Sequence, residues 1–374
     1  MAFPDLTSFL ERQTATLVPG CDVCVMQDHK VLYRGFAGMR DREARVPMQG
    51  NEIYPMYSMS KIVTVVAAMQ LFEKGLFRLN DPLSRYIPEY AHMQVLHPDG
   101  TVRDAEKPIT IKHLFTMCAG LDYKVRDDFM TRVREEAVPR GCPTLEIIRA
   151  LAGRPLCSEP GTEFRYSLCH DVLAALVEVL SGEKFRTYVQ KNIFSPLGMV
   201  ASSYHISDDM RPFMPRQYHW EKDRAVPGGW PEDQLTFGSE YDSGGGGVLS
   251  TVDDFRLFLD ALACGGTAED GTRILSPASI RMMKANQLTP GQAVTFEKEV
   301  LTGYSYGLGV RTAVDPVAGG FASPIGEFGW SGAAGAYALV DTENHLSITY
   351  AQNVIGMDEC LIHLPIRNIV YASI

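Results

Sequence analysis

The amino-acid sequence predicts an α+β fold, in which strands from both ends of the chain form one antiparallel sheet and a helical lobe is inserted between them. Alternating apolar residues occur near the start, in CDVCVMQ and KVLYRGFAGMRD, and near the end, in GEFGWSGAAGAYALV and HLSITYAQN. The long middle part instead carries apolar residues at helical spacing, as in TIKHLFTMCAGL and DVLAALVEVLSG. We therefore expect the 374 residues to form a single catalytic domain, with a sheet part at about 1–75 and 290–374 and a helical part at about 76–289.

The two N-terminal strands are expected to form a hairpin because only the short segment DHK separates them. Cys21 and Cys24 both lie in the first of these strands. Residues three apart on a strand face opposite sides of the sheet, so this pair is not expected to share a metal ion. The eight cysteines are expected to be buried thiols rather than disulfides.

Further elements follow from local signals along the chain. The helix DVLAALVEVLSG is expected to end at Gly182, because glycine commonly closes helices. The helix in TVDDFRLFLDALACGG starts with Thr251, a candidate N-cap, and closes at Gly265. The segment DTEN predicts a turn between the last two strands, and LIHLPIRNIVYA predicts a final helix that is interrupted by Pro365.

Composition and charge argue against several classes of function. The net charge of -10 and the absence of a Lys/Arg-rich block in the sequence argue against nucleic-acid and anionic-membrane binding. The first twenty residues resemble no signal peptide, and no run of eighteen apolar residues occurs, so a cytoplasmic enzyme is expected, with the mature part of a trimmed protein as the alternative. The glycines at 244–247 lack the lysine of a phosphate loop, and no HExxH motif occurs. Neither a cofactor nor a metal ion is expected.

The stretch YSMSKIVTVVAAMQLFEKG contains the first candidate site residues. It predicts a helix that begins near residues 57–58, and Lys61 is the only ionisable side chain from Ser60 to Phe72. Ser58 and Lys61 are three residues apart, so they share one face of the first turn. Because burial disfavours the ammonium form, a neutral amine there would accept the Ser58 proton and make this serine a nucleophile. The alternative is a lysine that extends its amine to water.

Tyr166 is a second candidate for proton transfer, because it immediately precedes a helix and is held at a defined place. A nearby cation would make its phenol more acidic and suit it to general acid–base work. His170 follows at the same helix entrance. A Ser–His–Asp arrangement that uses Asp171 or Asp122 is the alternative at this point.

The segment FGWSGAAGAYALV is expected to be a strand whose glycines at 329, 332 and 335 mark close approach of a ligand or another backbone. A backbone N–H in it, best placed at Ala333, would complete an oxyanion hole with the N–H of Ser58. Ser331 lies in GWSGA, one residue short of the GxSxG nucleophile motif. That motif needs a strand–turn–helix context, so Ser331 is expected to line the wall of the site instead.

Taken in order, SMSK at 58–61, YSL at 166–168 and WSG at 330–332 resemble the motifs of class C β-lactamases, penicillin-binding proteins and family VIII carboxylesterases, with the esterases closest. ITIKHLFTMCAGL, PGTEFRYSL and GGGGVLSTVDDF are also similar to stretches of that family, and the similarity extends from about residue 20 to the end. The resemblance implies the β-lactamase fold. It also implies that Ser58 is the nucleophile, that Lys61 and Tyr166 are its base pair, and that the amides of Ser58 and Ala333 bind the oxyanion.

Two positions depart from the pattern of the lactamases. Leu168 stands where the Y-x-N motif has an asparagine, and Trp330 stands where the K-T-G motif has the lysine that binds the substrate carboxylate. Leu168, Trp330, Ser331 and Gly332 are the expected substrate-binding residues. The leucine and the tryptophan would favour an apolar acyl or alcohol group over a carboxylate.

The sequence therefore predicts a serine hydrolase that forms an acyl-enzyme on Ser58 and acts on short- to medium-chain carboxylic esters. Its expected partner is a small-molecule ester or amide, and the oligomeric state is left open. The alternatives within the same chemistry are a β-lactamase, a penicillin-binding protein or D-alanyl peptidase, and an acyltransferase. A non-catalytic binding module is a further alternative, against which the complete Ser, Lys and Tyr set argues. Tyr57 and Trp230 are additional candidates for lining the cleft.

Overall fold

The structure is a computed structural model that describes residues 3–229, 237–299 and 302–374, without the side chains of 298 and 299. Trp230, a candidate from the sequence, lies outside the described residues. The helices of the described residues are α1 (Pro4–Thr16), α2 (Ser60–Glu73), α3 (Ile111–Phe115), α4 (Asp128–Ala137), α5 (Thr144–Leu151), α6 (Cys169–Ser181), α7 (Phe185–Val189), α8 (Val252–Ala263), α9 (Pro277–Lys284), α10 (Pro290–Glu299), α11 (Pro316–Gly319) and α12 (His363–Ala372).

One antiparallel sheet of eight strands organises the domain, in the order β10-β11-β12-β13-β14-β1-β2-β3. The strands are β1 (Gly20–Gln27), β2 (Lys30–Asp41), β3 (Val46–Pro47), β4 (Tyr54–Pro55), β5 (Gln94–Leu96), β6 (Val102–Asp104), β7 (Tyr218–Glu221), β8 (Arg224–Pro227), β9 (Leu249–Ser250), β10 (Tyr304–Tyr306), β11 (Arg311–Ala313), β12 (Phe328–Ser331), β13 (Tyr337–Asp341), β14 (Leu346–Gln352) and β15 (Val354–Ile355). Strands outside the main sheet form small sheets: β15-β7-β8, β4-β9 and β5-β6.

The two ends of the chain meet in the middle of the main sheet. β1 pairs with β14, so that Cys21 lies opposite Gln352, and it also pairs with β2 across the turn at Asp28 and His29. The predicted α+β fold class, with its sheet closed by N- and C-terminal strands, is confirmed.

Apolar side chains cover both faces of the sheet and form two separate cores. On one face, α1 and α12 pack over β1 and β14, and Cys21 belongs to this core. On the other face lies the larger core, which contains Cys24 together with α2, α6 and α8. Cys21 and Cys24 therefore face opposite sides of β1, as expected, and burial raises the pKa of each thiol to about 12. All eight cysteines are free.

Helix α2 lies at the centre of the larger core, where it packs against α6. Its residues are apolar on nearly all sides, and Ile62, Val63, Val65 and Val66 are all fully buried. A helix that is apolar all round is stable only when other elements cover every face. The first turn of α2 is therefore held rigidly between the sheet and the helical lobe.

Two details of chain organisation differ from the expectations. α8 lies within the predicted helical part, yet it packs against β1, β13 and β14, so the chain returns to the sheet inside 76–289. The expected interruption at Pro365 is wrong, because α12 is continuous from His363 to Ala372. Pro365 lies in the first turn, where a missing N–H costs no helical hydrogen bond. Within the described ranges, no helix combines the length and apolar character that membrane crossing requires.

Candidate active site

Ser58 lies in a single 3-10 turn, Tyr57–Met59, that leads directly into α2. The helix itself begins at Ser60 rather than at the expected residues 57–58. Tyr57 has a φ of 45°, which is rare for a residue with a side chain and marks local strain of about 1–3 kcal/mol. Its buried hydroxyl donates a hydrogen bond of 2.7 Å to Gln217, so packing holds the strained turn in place. This turn fixes the direction of the Ser58 side chain.

Lys61 is fully buried, so its amine does not extend to water. The Nζ atom lies 3.1 Å from Ser58 Oγ and donates a second hydrogen bond of 2.7 Å to the carbonyl of Gly245. It also lies 4.6 Å from the ring centre of Tyr166 and 5.5 Å from that of Tyr123. Aromatic faces and a carbonyl both stabilise positive charge, so the amine can hold a proton there after it leaves Ser58.

Tyr166 approaches Ser58 from the helical lobe, 108 residues further along the chain. Its hydroxyl lies 2.6 Å from Ser58 Oγ and accepts a hydrogen bond of 3.3 Å from Trp330 Nε1. The ring is stacked between Tyr123 and Trp330, at centroid distances of 5.6 and 5.7 Å. The structure thus brings together the three predicted catalytic side chains, and the stack prevents the phenol from turning away.

The glycine segment at 244–247 supports Lys61 and was not predicted to do so. The carbonyl of Gly244 accepts from Thr64 at 2.7 Å, while that of Gly245 accepts from Lys61. A Cβ atom on Gly244 would lie 2.2 Å from the carbonyl oxygen of His170, and one on Gly245 would lie 2.6 Å from Asp171 Oδ2. Only glycine allows this segment to approach the start of α6 so closely, which is the physical reason for the glycine run.

Asp171 is a buried carboxylate close to this segment, and sequence reasoning considered it only as a partner of histidine. Its Oδ1 accepts hydrogen bonds from Tyr241 at 2.9 Å and from Ser243 at 2.8 Å. Burial raises the pKa of Asp171, and the positive charge of Lys61 opposes that rise. Asp171 therefore lies close enough to Lys61 for their charges to interact.

The geometry does not favour the Ser–His–Asp alternative. His170 is fully buried, and its pKa is well below the usual value because of burial and the nearby Lys61. Ser58 Oγ is instead contacted by Lys61 and Tyr166. Asp122 accepts a hydrogen bond of 2.9 Å from Arg154, so its carboxylate is engaged elsewhere.

The expected continuous strand across the third motif is wrong, because β12 ends at Ser331 and a turn follows. The N–H of Gly332 donates to Ala336 at 2.7 Å, and the N–H of Gly335 donates to Gly332 at 2.8 Å. A Cβ atom on Gly332 would lie 2.4 Å from the carbonyl oxygen of Met56. The turn therefore packs directly on the segment before Ser58, and Ala333 lies within it.

The expected substrate-binding residues differ in their exposure. Leu168 is 3% exposed and Trp330 is 7% exposed, so both pack mainly against protein. Ser331 is partly exposed, and its hydroxyl donates a hydrogen bond of 2.5 Å to Glu359. Their role in binding substrate, like that of Gly332, stays a prediction.

The motifs and their geometry agree with comparisons to known proteins, which show that the chain belongs to the beta-lactamase family. The Beta-lactamase family model matches residues 7–360. Protein Rv1367c of Mycobacterium tuberculosis is 31% identical over 350 residues, which cover 90% of this chain and 86% of that relative. Esterase EstB of Burkholderia gladioli is 26% identical, with 94% of this chain and 91% of EstB covered. The predicted family resemblance, including its esterase branch, is confirmed.

Solved structures show the same fold over nearly the whole chain. Simvastatin synthase (LovD) of Aspergillus terreus matches with a TM-score of 0.82 at 22% identity, covering 100% of this chain and 99% of that one. EstCE1, described as a hydrolase with promiscuous acyltransferase activity, matches with a TM-score of 0.81 at 24% identity, covering 99% and 98%. These likenesses establish the β-lactamase and transpeptidase-like fold.

Proposed function

We propose that this protein is a serine hydrolase that forms an acyl-enzyme on Ser58 and cleaves carboxylic esters with short to medium acyl chains. The observation that carries the proposal is the position of Ser58 Oγ, 3.1 Å from Lys61 Nζ and 2.6 Å from the Tyr166 hydroxyl. A nucleophile with two proton-accepting groups at hydrogen-bond distance is the arrangement that covalent catalysis needs. Membership of the beta-lactamase family supports the same chemistry.

Acylation begins when Ser58 Oγ attacks the carbonyl carbon of the ester and loses its proton to the pair formed by Lys61 and Tyr166. Lys61 Nζ lies 4.6 Å from the ring centre of Tyr166, so a protonated Lys61 stabilises negative charge on the phenol oxygen. The two groups therefore act together when the proton moves. As the tetrahedral intermediate collapses, the same pair returns the proton to the departing alcohol oxygen. A water molecule then attacks the acyl-serine, and its proton follows the reverse route to regenerate Ser58.

The negative oxygen of the tetrahedral intermediate needs donors that are fixed before the reaction. We assign this role to the backbone amides of Ser58 and Ala333. The close packing of Gly332 on the carbonyl of Met56 supports the assignment, because it places the turn that contains Ala333 beside the turn that contains Ser58. Each such donor contributes roughly a hundred- to a thousand-fold to the rate.

An ester substrate is favoured by the residues that surround the nucleophile and by the relatives. Trp330 occupies the position of the carboxylate-binding lysine of the lactamases, so a substrate carboxylate lacks that anchor. Esterase EstB and lovastatin esterase of Penicillium rubens, which is 26% identical over 83% of this chain, are both named for ester cleavage. Cleavage of β-lactams or D-alanyl peptides is therefore the weaker alternative. The cytoplasmic location stays a prediction.

Acyl transfer is a second candidate, and specific relatives favour it. Acyltransferase calJ of Penicillium decumbens is 27% identical over 79% of this chain, and the LovD fold matches along its whole length. The same acyl-enzyme would then react with an alcohol or amine instead of water. The proton steps at Lys61 and Tyr166 would be unchanged.

The proposal is tested by labelling with a fluorophosphonate, which reacts with activated serines. Intact mass should rise by one adduct, and peptide mapping should place that adduct on Ser58. The matched Ser58→Ala variant should gain none, and Ser60→Ala, which alters the neighbouring hydroxyl, should label. A parent protein that stays unlabelled, or an adduct on another residue, would contradict the assignment.

Substrate class is tested by comparing turnover of a short nitrophenyl ester with that of a chromogenic cephalosporin. We expect the ester to be cleaved at least about a hundred-fold faster in kcat/KM, which corresponds to about 2.7 kcal/mol. Adding increasing concentrations of a primary alcohol then separates the two candidate outcomes. A rise in nitrophenol release with formation of the new ester indicates transfer, whereas release of the free acid alone indicates hydrolysis.

A further inference from the structure

Three side chains that suit a metal ion meet outside the candidate active site. His29 lies in the β1–β2 turn, Asp260 lies in the last turn of α8, and Cys264 directly follows that helix. One ring nitrogen, one carboxylate oxygen and the sulfur atom all lie within 4.8 Å of one another. The packing of α8 on β1 brings these parts of the chain together, although His29 and Asp260 are 231 positions apart.

The carboxylate of Asp260 has one acceptor atom that the protein leaves unsatisfied. Asp260 is 4% exposed, and its Oδ2 lies 2.7 Å from Nδ1 of His29. No hydrogen-bond donor in the described part of the chain reaches Oδ1, which is also buried. A buried carboxylate oxygen without a donor is costly, so a bound cation would satisfy a need that the fold itself creates.

The cluster also opens onto a cavity from which an ion can enter. Asp260 and His29 line a cleft of about 570 Å³. Arg256 lines the same cleft, but its Nε atom donates to Asp253 at 3.1 Å and its Nη1 contacts the sulfur of Met26 at 3.4 Å. The guanidinium is therefore already engaged with Asp253, a carboxylate that also accepts hydrogen bonds from Arg34 at 3.1 and 3.2 Å.

We propose that His29, Asp260 and Cys264 bind a zinc ion. Imidazole nitrogen, carboxylate oxygen and thiolate sulfur together suit Zn²⁺, whereas Mg²⁺ and Ca²⁺ prefer sites built from oxygen atoms alone. Ligand distances of about 2.0–2.3 Å place tetrahedral donor atoms about 3–4 Å apart, so the cluster closes on the ion by small side-chain movements. Cys264 binds as the thiolate and releases its proton to solvent. The fourth position is left to water.

A zinc ion at this place would fasten the β1–β2 turn to the end of α8. None of its three ligands takes part in the contacts described around Ser58, so the proposal is independent of the acyl-enzyme chemistry. The zinc ion departs from the expectation that no metal ion is bound, but the acyl-enzyme chemistry itself still needs none. Because the ligands assemble only in the folded chain, the ion stabilises the native state.

The proposal is tested by metal titration of the chelator-treated, full-length protein. Calorimetry should detect one equivalent of Zn²⁺, and Co²⁺ should produce the near-ultraviolet charge-transfer absorption of a cobalt–thiolate bond. Added Zn²⁺ should remove that absorption. His29→Ala and Cys264→Ala should each weaken Zn²⁺ binding by about ten-fold or more, and Cys264→Ala should abolish the cobalt–thiolate absorption.

Matched controls separate this site from incidental metal binding. His345 forms a similar histidine–carboxylate pair with Asp28 at 2.8 Å, and Cys360 is another partly exposed thiol. His345→Ala and Cys360→Ala should bind Zn²⁺ as the parent does, and so should Ser58→Ala. Circular dichroism and ester turnover report whether each ligand variant is folded. Binding of less than one equivalent by the parent overturns the proposal, as does affinity unchanged in both ligand variants.

Discussion

Replacing Tyr166 with phenylalanine removes one hydroxyl group and leaves the aromatic ring in place. That hydroxyl lies 2.6 Å from Ser58 Oγ and accepts a hydrogen bond of 3.3 Å from Trp330. The phenylalanine ring would remain stacked between Tyr123 and Trp330, because both stacking contacts involve only the ring. Tyr166→Phe therefore tests the proton-transfer role with little change in packing.

The expected effects on rate and on stability are well separated in size. Loss of a positioned proton-transfer group typically slows a reaction by roughly 10²- to 10⁴-fold, so the activation barrier should rise by about 3–5 kcal/mol. The variant also leaves the indole N–H of Trp330 without its acceptor, which should cost about 1 kcal/mol of unfolding free energy, since the hydrogen bond is long. We therefore expect kcat to fall steeply in a protein that stays folded.

The assay is steady-state hydrolysis of a short nitrophenyl ester, with urea unfolding measured in parallel. The matched control is Tyr306→Phe, since Tyr306 packs edge-on against Trp330 and its buried hydroxyl has no hydrogen-bond partner in the described ranges. The control should keep kcat within about three-fold and lose no stability. If Tyr166→Phe also kept kcat within about three-fold, the assignment of this phenol to proton transfer would be refuted.

Three further predictions concern positions whose surroundings are equally well defined. Gly332→Ala places a methyl group 2.4 Å from the carbonyl oxygen of Met56. It should therefore displace the turn that contains Ala333, whose amide is assigned to the oxyanion hole, and lower kcat by roughly a hundred- to a thousand-fold in the ester assay. Gly245→Ala places a methyl group 2.6 Å from Asp171 Oδ2. It should therefore shift the Gly245 carbonyl, which accepts a hydrogen bond from Lys61, and lower kcat by roughly ten- to a hundred-fold. Burial, followed by nearby lysines, lowers the pKa of His113 to about 4, so the unfolded chain binds the extra proton first as the pH falls. The free energy of unfolding should therefore drop by about 1–3 kcal/mol from pH 6.5 to 4. In His113→Asn this drop should be absent when unfolding by urea is measured at both pH values.

A shared control tests whether any glycine-to-alanine change would slow the enzyme. Gly291 lies in α10, and a Cβ atom there would contact nothing within 4 Å. Gly291→Ala should leave kcat unchanged and stabilise the helix by about 0.5–1 kcal/mol. Wild-type turnover in either active-site glycine variant would contradict the steric reasoning. An unchanged pH dependence in His113→Asn would contradict the role given to that histidine.

The part of the site that depends on local spacing could be predicted from sequence. Ser58 and Lys61 meet because side chains three residues apart share one face of a helical turn, whether or not the rest of the fold is known. The apolar surroundings of Lys61 favour burial, but the sequence alone leaves open a lysine that extends its amine to water. Tyr166 was identified through its place at a helix entrance and through the family motif, because no local rule links residues 108 positions apart.

The parts that sequence reasoning missed depend on contacts between distant segments. The carbonyl of Gly245 reaches Lys61 across 184 positions, and Tyr123 completes the aromatic stack from a loop without a strong motif. The sequence predicts a strand where the turn at Gly332 lies, because the glycines there give no periodic signal that would mark the end of β12. The turn is positioned by close contact between Gly332 and the carbonyl of Met56. That contact exists only in the folded chain, so sequence spacing cannot predict it.

The pairing of β1 with β14 has a consequence for synthesis of the protein in the cell. Cys21 lies opposite Gln352, so 330 residues are made after Cys21 and before its partner Gln352. At 5–20 residues per second, that interval lasts roughly 20–70 s. During this interval, the edge of β1 that will pair with β14 has no strand beside it. A ribosome-bound chain should therefore bind chaperones through this strand until translation nears completion.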